Sequence, residues 1–217
     1  DVSSDGKNTY TLRDASLDGA HVRLRAKGGV SRETSDLAAR IELADLAAAD
    51  ARLSGTAALD ARLTGGLAHP GLALTAALDR ATAMKRAIPH LGLEATIADI
   101  NGPCAIDVRL DGSIDGKPAR GVIQASRMPV TDGAQTAAFA GWVAKTLDIA
   151  IGSVTLKGDG RIDGQNLARG QLRFNAGSLA DIAPLALTNL AGSATLDLAL
   201  AHDGGRQSVR LAGNGAG

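Results

Sequence analysis

The chain has 217 residues, with 23 basic and 23 acidic side chains and so no formal net charge; 45% is hydrophobic but only 2% aromatic. A balanced chain without a basic patch or an acidic tail argues against nucleic-acid binding and against a charged disordered binder. Two Phe, one Trp and one Tyr are too few for a base-stacking platform. An interior of Ala, Leu, Ile, Val and Gly suits a long thin layer better than a thick globule.

No stretch of 18 or more apolar residues is present, so no membrane-spanning helix is predicted. Cys104 is the single cysteine; it has no internal disulfide partner and reads as an inert small side chain. The chain begins at Asp1 without an initiator Met or signal peptide and closes on Gly-Asn-Gly-Ala-Gly217. Both ends read as cuts in a longer polypeptide, and residues 1–217 as one segment of it.

In chain order, Tyr10–Leu17 and Ala20–Ala26 flank Asp18-Gly19, a hairpin signal, and Lys27-Gly-Gly29 is the predicted next turn. Leu37, Ala39, Ile41 and Leu43 share one face of an alternating run. Asp45–Arg52 reads as one or two helical turns capped by Asp45. The clearest strand follows, Leu53-Ser-Gly-Thr-Ala-Ala-Leu-Asp-Ala-Arg-Leu63, with Leu53, Leu59 and Leu63 on its dry face. Leu72, Leu74 and Leu78 form the next dry face. Asp79–Ala87 reads as a short helix or an irregular tip, limited by Pro89. Leu91, Leu93 and Ile97, then Ile106, Val108 and Leu110, resume the period of two. Residues 131–145 are predicted as a loop or short helix, because Phe139, Trp142 and Val143 fall at helical spacing. Leu147, Ile149 and Ile151 alternate again. Leu179–Asn189 contains Pro184 and is no long helix. Leu196, Leu198 and Leu200 close the series.

Two internal echoes organise these runs. Leu190-Ala-Gly-Ser-Ala-Thr-Leu-Asp-Leu-Ala-Leu200 repeats the Leu53–Leu63 stretch, within approximate repeats 37–63 and 174–200. Asp111-Gly-Ser-Ile-Asp-Gly-Lys-Pro-Ala-Arg-Gly121 returns at Asp159–Gly170, within 106–123 and 154–172. The expected fold is therefore all-β, an antiparallel meander with turns about every ten residues. Its dry faces could be covered by folding the sheet as a sandwich, by closing a barrel, or by leaving an open trough for an apolar guest. Small residues in the dry rows favour tight self-packing on periodicity alone.

Catalytic and metal-binding patterns are missing. His21, His69, His90 and His202 are scattered, and no nucleophile elbow, phosphate loop or dinucleotide fingerprint is present. The expectation is a protein that is not an enzyme, with no catalytic residues, metal or cofactor. Asp-Gly pairs at 115–116 and 163–164 read as turn chemistry, not calcium loops.

The stretches Leu53–Leu63, Asp111–Gly121, Ile151-Gly-Ser-Val-Thr-Leu-Lys-Gly-Asp-Gly160 and Leu179–Gly192, in that order, resemble the alphaproteobacterial form of the translocation and assembly module subunit TamB family, within the AsmA-like bridge proteins. The resemblance implies an elongated antiparallel β-meander curled into an open, taco-like groove with a hydrophobic interior and few or no helices. It implies a periplasmic protein of a Gram-negative bacterium, anchored to the inner membrane by a segment outside this chain. It implies conduction of phospholipid acyl chains between inner and outer membranes in outer-membrane biogenesis. The alternative role is a scaffold for outer-membrane β-barrel proteins, autotransporters among them, working by strand-edge pairing with the partner TamA through regions outside this chain. Under that resemblance, the apolar residues named above from Leu53 to Leu200 line the groove. Adjacent segments of the same long chain are the other expected neighbours.

Overall fold

Alternating apolar and polar residues, cut by glycine turns, fold as one antiparallel sheet whose fourteen described strands lie in chain order. The computed structural model describes residues 2–4, 9–83, 85–128, 141–181 and 190–217. The strands are β1 (Val2–Ser4), β2 (Tyr10–Asp18), β3 (Val22–Val30), β4 (Ser35–Leu43), β5 (Leu53–Thr64), β6 (Gly71–Ala83) and β7 (Arg86–Ala98). They continue as β8 (Ala105–Ile114), β9 (Lys117–Arg127), β10 (Gly141–Ile151), β11 (Val154–Asp163), β12 (Ala168–Ala176), β13 (Ser193–Asp203) and β14 (Arg206–Ala216). The first and last strands are not paired, so the sheet is open and is not a barrel. Among the described residues helix is confined to two single 3₁₀ turns, Leu46–Ala48 and Leu179–Asp181.

The sheet curls without closing a core. Its accessible surface is 13815 Å², against about 9,300 Å² expected of a compact monomer of this mass. Among the described residues the buried apolar set is Ala81, Ile88, Ala95, Cys104, Ala119, Val154 and Ala176, and no large side chain is fully buried. A sandwich would bury its inner leucines; here they stay half-exposed.

Turns at one end of the strands are hydrogen-bonded to one another. Leu67 N–H donates to Arg32 O (3.2 Å), Ile100 N–H to Pro70 O (2.8 Å) and Arg127 N–H to Pro103 O (2.8 Å). At the other end Asp181 is the knot. Its carboxylate accepts from the Lys117 ammonium and, at 2.8 Å each, from the Ser153 N–H and hydroxyl.

Several local expectations change. The Asp45 cap is present, accepting from Ala47 N–H at 2.9 Å, but it opens only a 3₁₀ turn. Lys27-Gly-Gly29 is not a turn: Gly28 and Gly29 pair with Leu37 and Asp36 inside β3, and the reversal falls at 31–34. The helix formers of Asp79–Ala87 are drawn into β6 and β7, whose pairing runs to Ala83 and Arg86; ladder bonds outweigh weak helix propensity. The helical spacing before Leu147 is likewise overruled, because Gly141 to Lys145 belong to β10. Phe139 and the rest of 129–140 lie outside the described residues, as do 182–189. The Asp115-Gly116 turn forms as expected, with φ of 51° and 73°, the pair of positive angles a type I′ hairpin needs.

Candidate functional site: an apolar groove across the sheet

Register decides which residues share a face. Starting from Leu59, opposite partners run Leu17, Leu24, Ile41, Leu59, Ala76, Leu93, Leu110, Gly121, Ile149, Leu156, Phe174, Leu196, Gly213. Every strand from β2 to β14 contributes, and no member is polar. A second row passes through Leu37, Leu63, Leu72, Ile97, Ile106, Ala125, Ala144, Gly160, Gly170, Leu200 and Val209. Between them lies a third, Ala39, Ala61, Leu74, Ala95, Val108, Ile123, Leu147, Gly158, Leu172, Leu198, Leu211. The fourth carries Leu43, Ala57, Leu78, Leu91, Gly112, Ala119, Ile151, Val154, Ala176 and Ala194. At roughly 4.8 Å per strand the rows are about 58 Å long, and four rows are about 20 Å wide.

All the apolar positions singled out from the sequence fall in these rows except Leu53. The register shifts between Ser54 and Thr56, where Gly55 faces one extra residue of β6 (Arg80–Ala81), so Leu53 pairs with Ala83 beyond the shift. Leu156, Leu172, Phe174 and Ala176 join the rows without having been singled out as lining. Their alternation in Gln171–Ala176 carries the signal, but the glycines at 158, 160 and 170 break it up.

The opposite face carries the charges. Arg40 donates to Asp60 at 2.9 Å and to Glu42 at 2.7 Å, Arg62 to Asp36 at 2.9 Å, and Arg173 to Asp197 at 2.6 Å. Lys157 lies 2.9 Å from Asp148. These guanidinium contacts hold the Asp36 and Glu42 carboxyls below their ordinary range. The pairs are solvent-exposed and add little to stability. They mark this face as the water-facing one.

The histidines form hydrogen-bonded pairs instead of a cluster: His69 with Asp99 at 2.9 Å and His90 with Asp79 at 2.6 Å, while His202 stands 3.6 Å from Asp163. Among the described residues no group of three or more His, Cys, Asp or Glu side chains could hold a metal ion. Cys104 is buried in the turn between β7 and β8. No described helix is long and apolar enough to cross a membrane.

The rows are not even along their length. Over β9 to β12 the second row thins to Ala125, Ala144, Gly160 and Gly170, and the floor dips into a cavity of about 290 Å³. Leu147 and Leu172 bound it on one side and Trp142 and Ile162 on the other, with Leu200 at its end. Gly170 is required there: a Cβ on it would collide with the Asp159 carbonyl oxygen and the Gly160 backbone. Trp142 pairs with Arg127 across β10 and β9, and the guanidinium carbon lies 5.8 Å from the ring centroid, in cation–π range. Arg127 also donates to Gly102 O (3.0 Å) and Ile100 O (3.2 Å), which places it at the rim where the strands end. No family model, curated protein or solved structure matches this chain.

Proposed function

We propose that this chain is a segment of a periplasmic, bridge-like protein of the TamB type, whose apolar groove carries phospholipid acyl chains between inner and outer membranes. The observation that carries the reading is the set of unbroken apolar rows from β2 to β14, backed by a charged outer face. Half of a bilayer's hydrocarbon core is about 15 Å, so a groove about 58 Å long has room for a tail to lie anywhere along it.

The energetics suit a conduit. Burying a methylene is worth about 0.8 kcal/mol, or on the order of 12 kcal/mol for a 16-carbon tail. The tail already has that burial in a bilayer, so entry into the groove is nearly isoenergetic and tails can pass in either direction. Polar headgroups stay in water along the open side. On this reading the groove needs no catalytic group, metal or cofactor.

The test is to purify the chain from Gram-negative membranes without detergent exchange and weigh it by native mass spectrometry. Bound phospholipid at a reproducible stoichiometry is expected. A lipid-free protein that also takes up none from vesicles would end the reading.

A further inference from the structure

Resting on the groove reading above, we propose that the notch beside Trp142 is a resting station for one acyl chain of an anionic phospholipid, with the headgroup phosphate held by Arg127 at the rim. A groove of even depth offers a tail no preferred position. The notch breaks that evenness: Ala144, Gly160 and Gly170 remove the floor side chains on three consecutive strands, while Trp142, Leu172 and Leu200 stand around the gap.

Its size and chemistry select the guest. About 290 Å³ lies at the small end of ligand cavities, enough for part of one chain and too little for a whole lipid. β10, β11 and β12 are interior strands laddered on both sides, so their backbone leaves nothing free for a polar peptide. The floor continues into the apolar rows on either side, so a linear guest can enter and leave lengthwise.

Charge completes the argument. The described hydrogen bonds of the Arg127 guanidinium go to two neutral carbonyls, and it also lies over the Trp142 ring. Its positive charge is not neutralised by any of these partners, in contrast to Arg40, Arg62 and Arg173 on the outer face. A guanidinium with donors to spare is a good partner for a phosphodiester. It lies beside Trp142, one of the residues lining the notch, at the rim where β9 ends.

Trp142 is the only tryptophan in the sequence, so its emission reports this place alone. The probe is lysophosphatidylglycerol doxyl-labelled along its chain, added as monomer to the 217-residue protein. Saturable quenching is expected. Ala144→Leu, which fills the notch, should weaken it on the order of tenfold, the equivalent of about two buried methylenes. Ala73→Leu, on the charged outer face of β6 opposite Arg62, should leave it unchanged. Arg127→Gln should reduce the preference over the choline analogue several-fold, and a labelled fatty acid tests whether any anion suffices. Ala125→Leu replaces Ala144→Leu if that variant loses its β circular dichroism. Quenching indifferent to both filling variants, or bound lipid that leaves Trp142 unquenched, overturns the station while the groove stands. An unchanged headgroup preference in Arg127→Gln, or a fatty acid bound as tightly as the phospholipid, overturns the phosphate contact. Absence of any bound lipid by mass removes both readings.

Discussion

Leu59 on β5 and Leu196 on β13 stand in the same cross-strand row, although 196 − 59 = 137 residues separate them in the sequence. The echo of Leu53–Leu63 at Leu190–Leu200 thus returns the chain to one height in the groove. If that row carries acyl chains, a charge in it should act as a barrier. Leu59→Asp and Leu196→Asp should each leave the β circular dichroism in place, because the row is half-open to water. The cost in stability should be about 1–2 kcal/mol. Lipid transfer between donor and acceptor vesicles should fall steeply in both. Equal transfer by wild type and both variants would show that tails do not use this row.

The Asp181 knot makes a pH prediction. The Lys117 hydrogen bond, followed by those from Ser153, pulls the Asp181 carboxyl from an ordinary 3.8 down to about 2. A carboxyl with a lowered folded-state pKa contributes stability above its unfolded value and loses it as the pH falls through the folded one. Asp181→Asn should therefore melt at a lower temperature at pH 7. The gap from wild type should narrow between about pH 4 and pH 2 in melts followed by circular dichroism. A gap that stays constant over that window would mean the carboxylate's charge is not what ties the turn down.

Ser35 has a buried hydroxyl that finds no hydrogen-bond partner among the described residues. Ser35→Ala should consequently raise unfolding stability, by about 1 kcal/mol, since an unsatisfied buried polar group carries a desolvation cost. Urea titration measures it; a loss of stability would reveal a partner for the hydroxyl.

Gly170 tests the floor of the notch. Its close approach to Asp159 and Gly160 leaves no space for a methyl group, so Gly170→Ala should destabilise by about 1–3 kcal/mol through strand displacement. Hydrogen exchange should localise the loosening to β11 and β12. A variant as stable as wild type would place the glycine's importance elsewhere.

The edge at β14 carries Val209 and Leu211, at 60% and 64% exposure. Analytical ultracentrifugation of the chain should show concentration-dependent association, suppressed by Leu211→Lys, which blunts an open edge with charge. A chain that stays monomeric at high concentration would show that the edge is already protected.

Much of this architecture was legible because alternation is a local property. Leu72 to Leu78, Leu91 to Ile97 and Ile106 to Leu110 each announce a dry face, and Asp115-Gly116 announces its own turn. What escaped the sequence is non-local. Nothing in Leu53–Leu63 announces the extra β6 residue opposite Gly55, and Gly28-Gly29 looks like a turn until β4 is seen beside it. Trp142 and Val143 suggest helix because periodicity over a few residues does not fix a period. The choice between open trough and closed sandwich was the least legible, since small apolar residues such as Ala61 and Ala95 serve either arrangement. The notch was hidden for a related reason: glycines at 158, 160 and 170 read as weak strand positions, and only register shows that Gly160 and Gly170 face each other.

A sheet in which every strand is laddered only to the strand before it and the strand after it can be assembled in order. Each new strand finds its template already in place, so no pairing waits on a distant part of the chain, and the entropy lost in closing each hairpin is small. Stability then accumulates step by step, as in solenoids, and damage stays local. A chain threaded through a translocation pore from its N-terminus could fold at the pace of its arrival, exposing only the newest edge. The same linearity lets such a sheet be lengthened by hairpins without redesigning what precedes them.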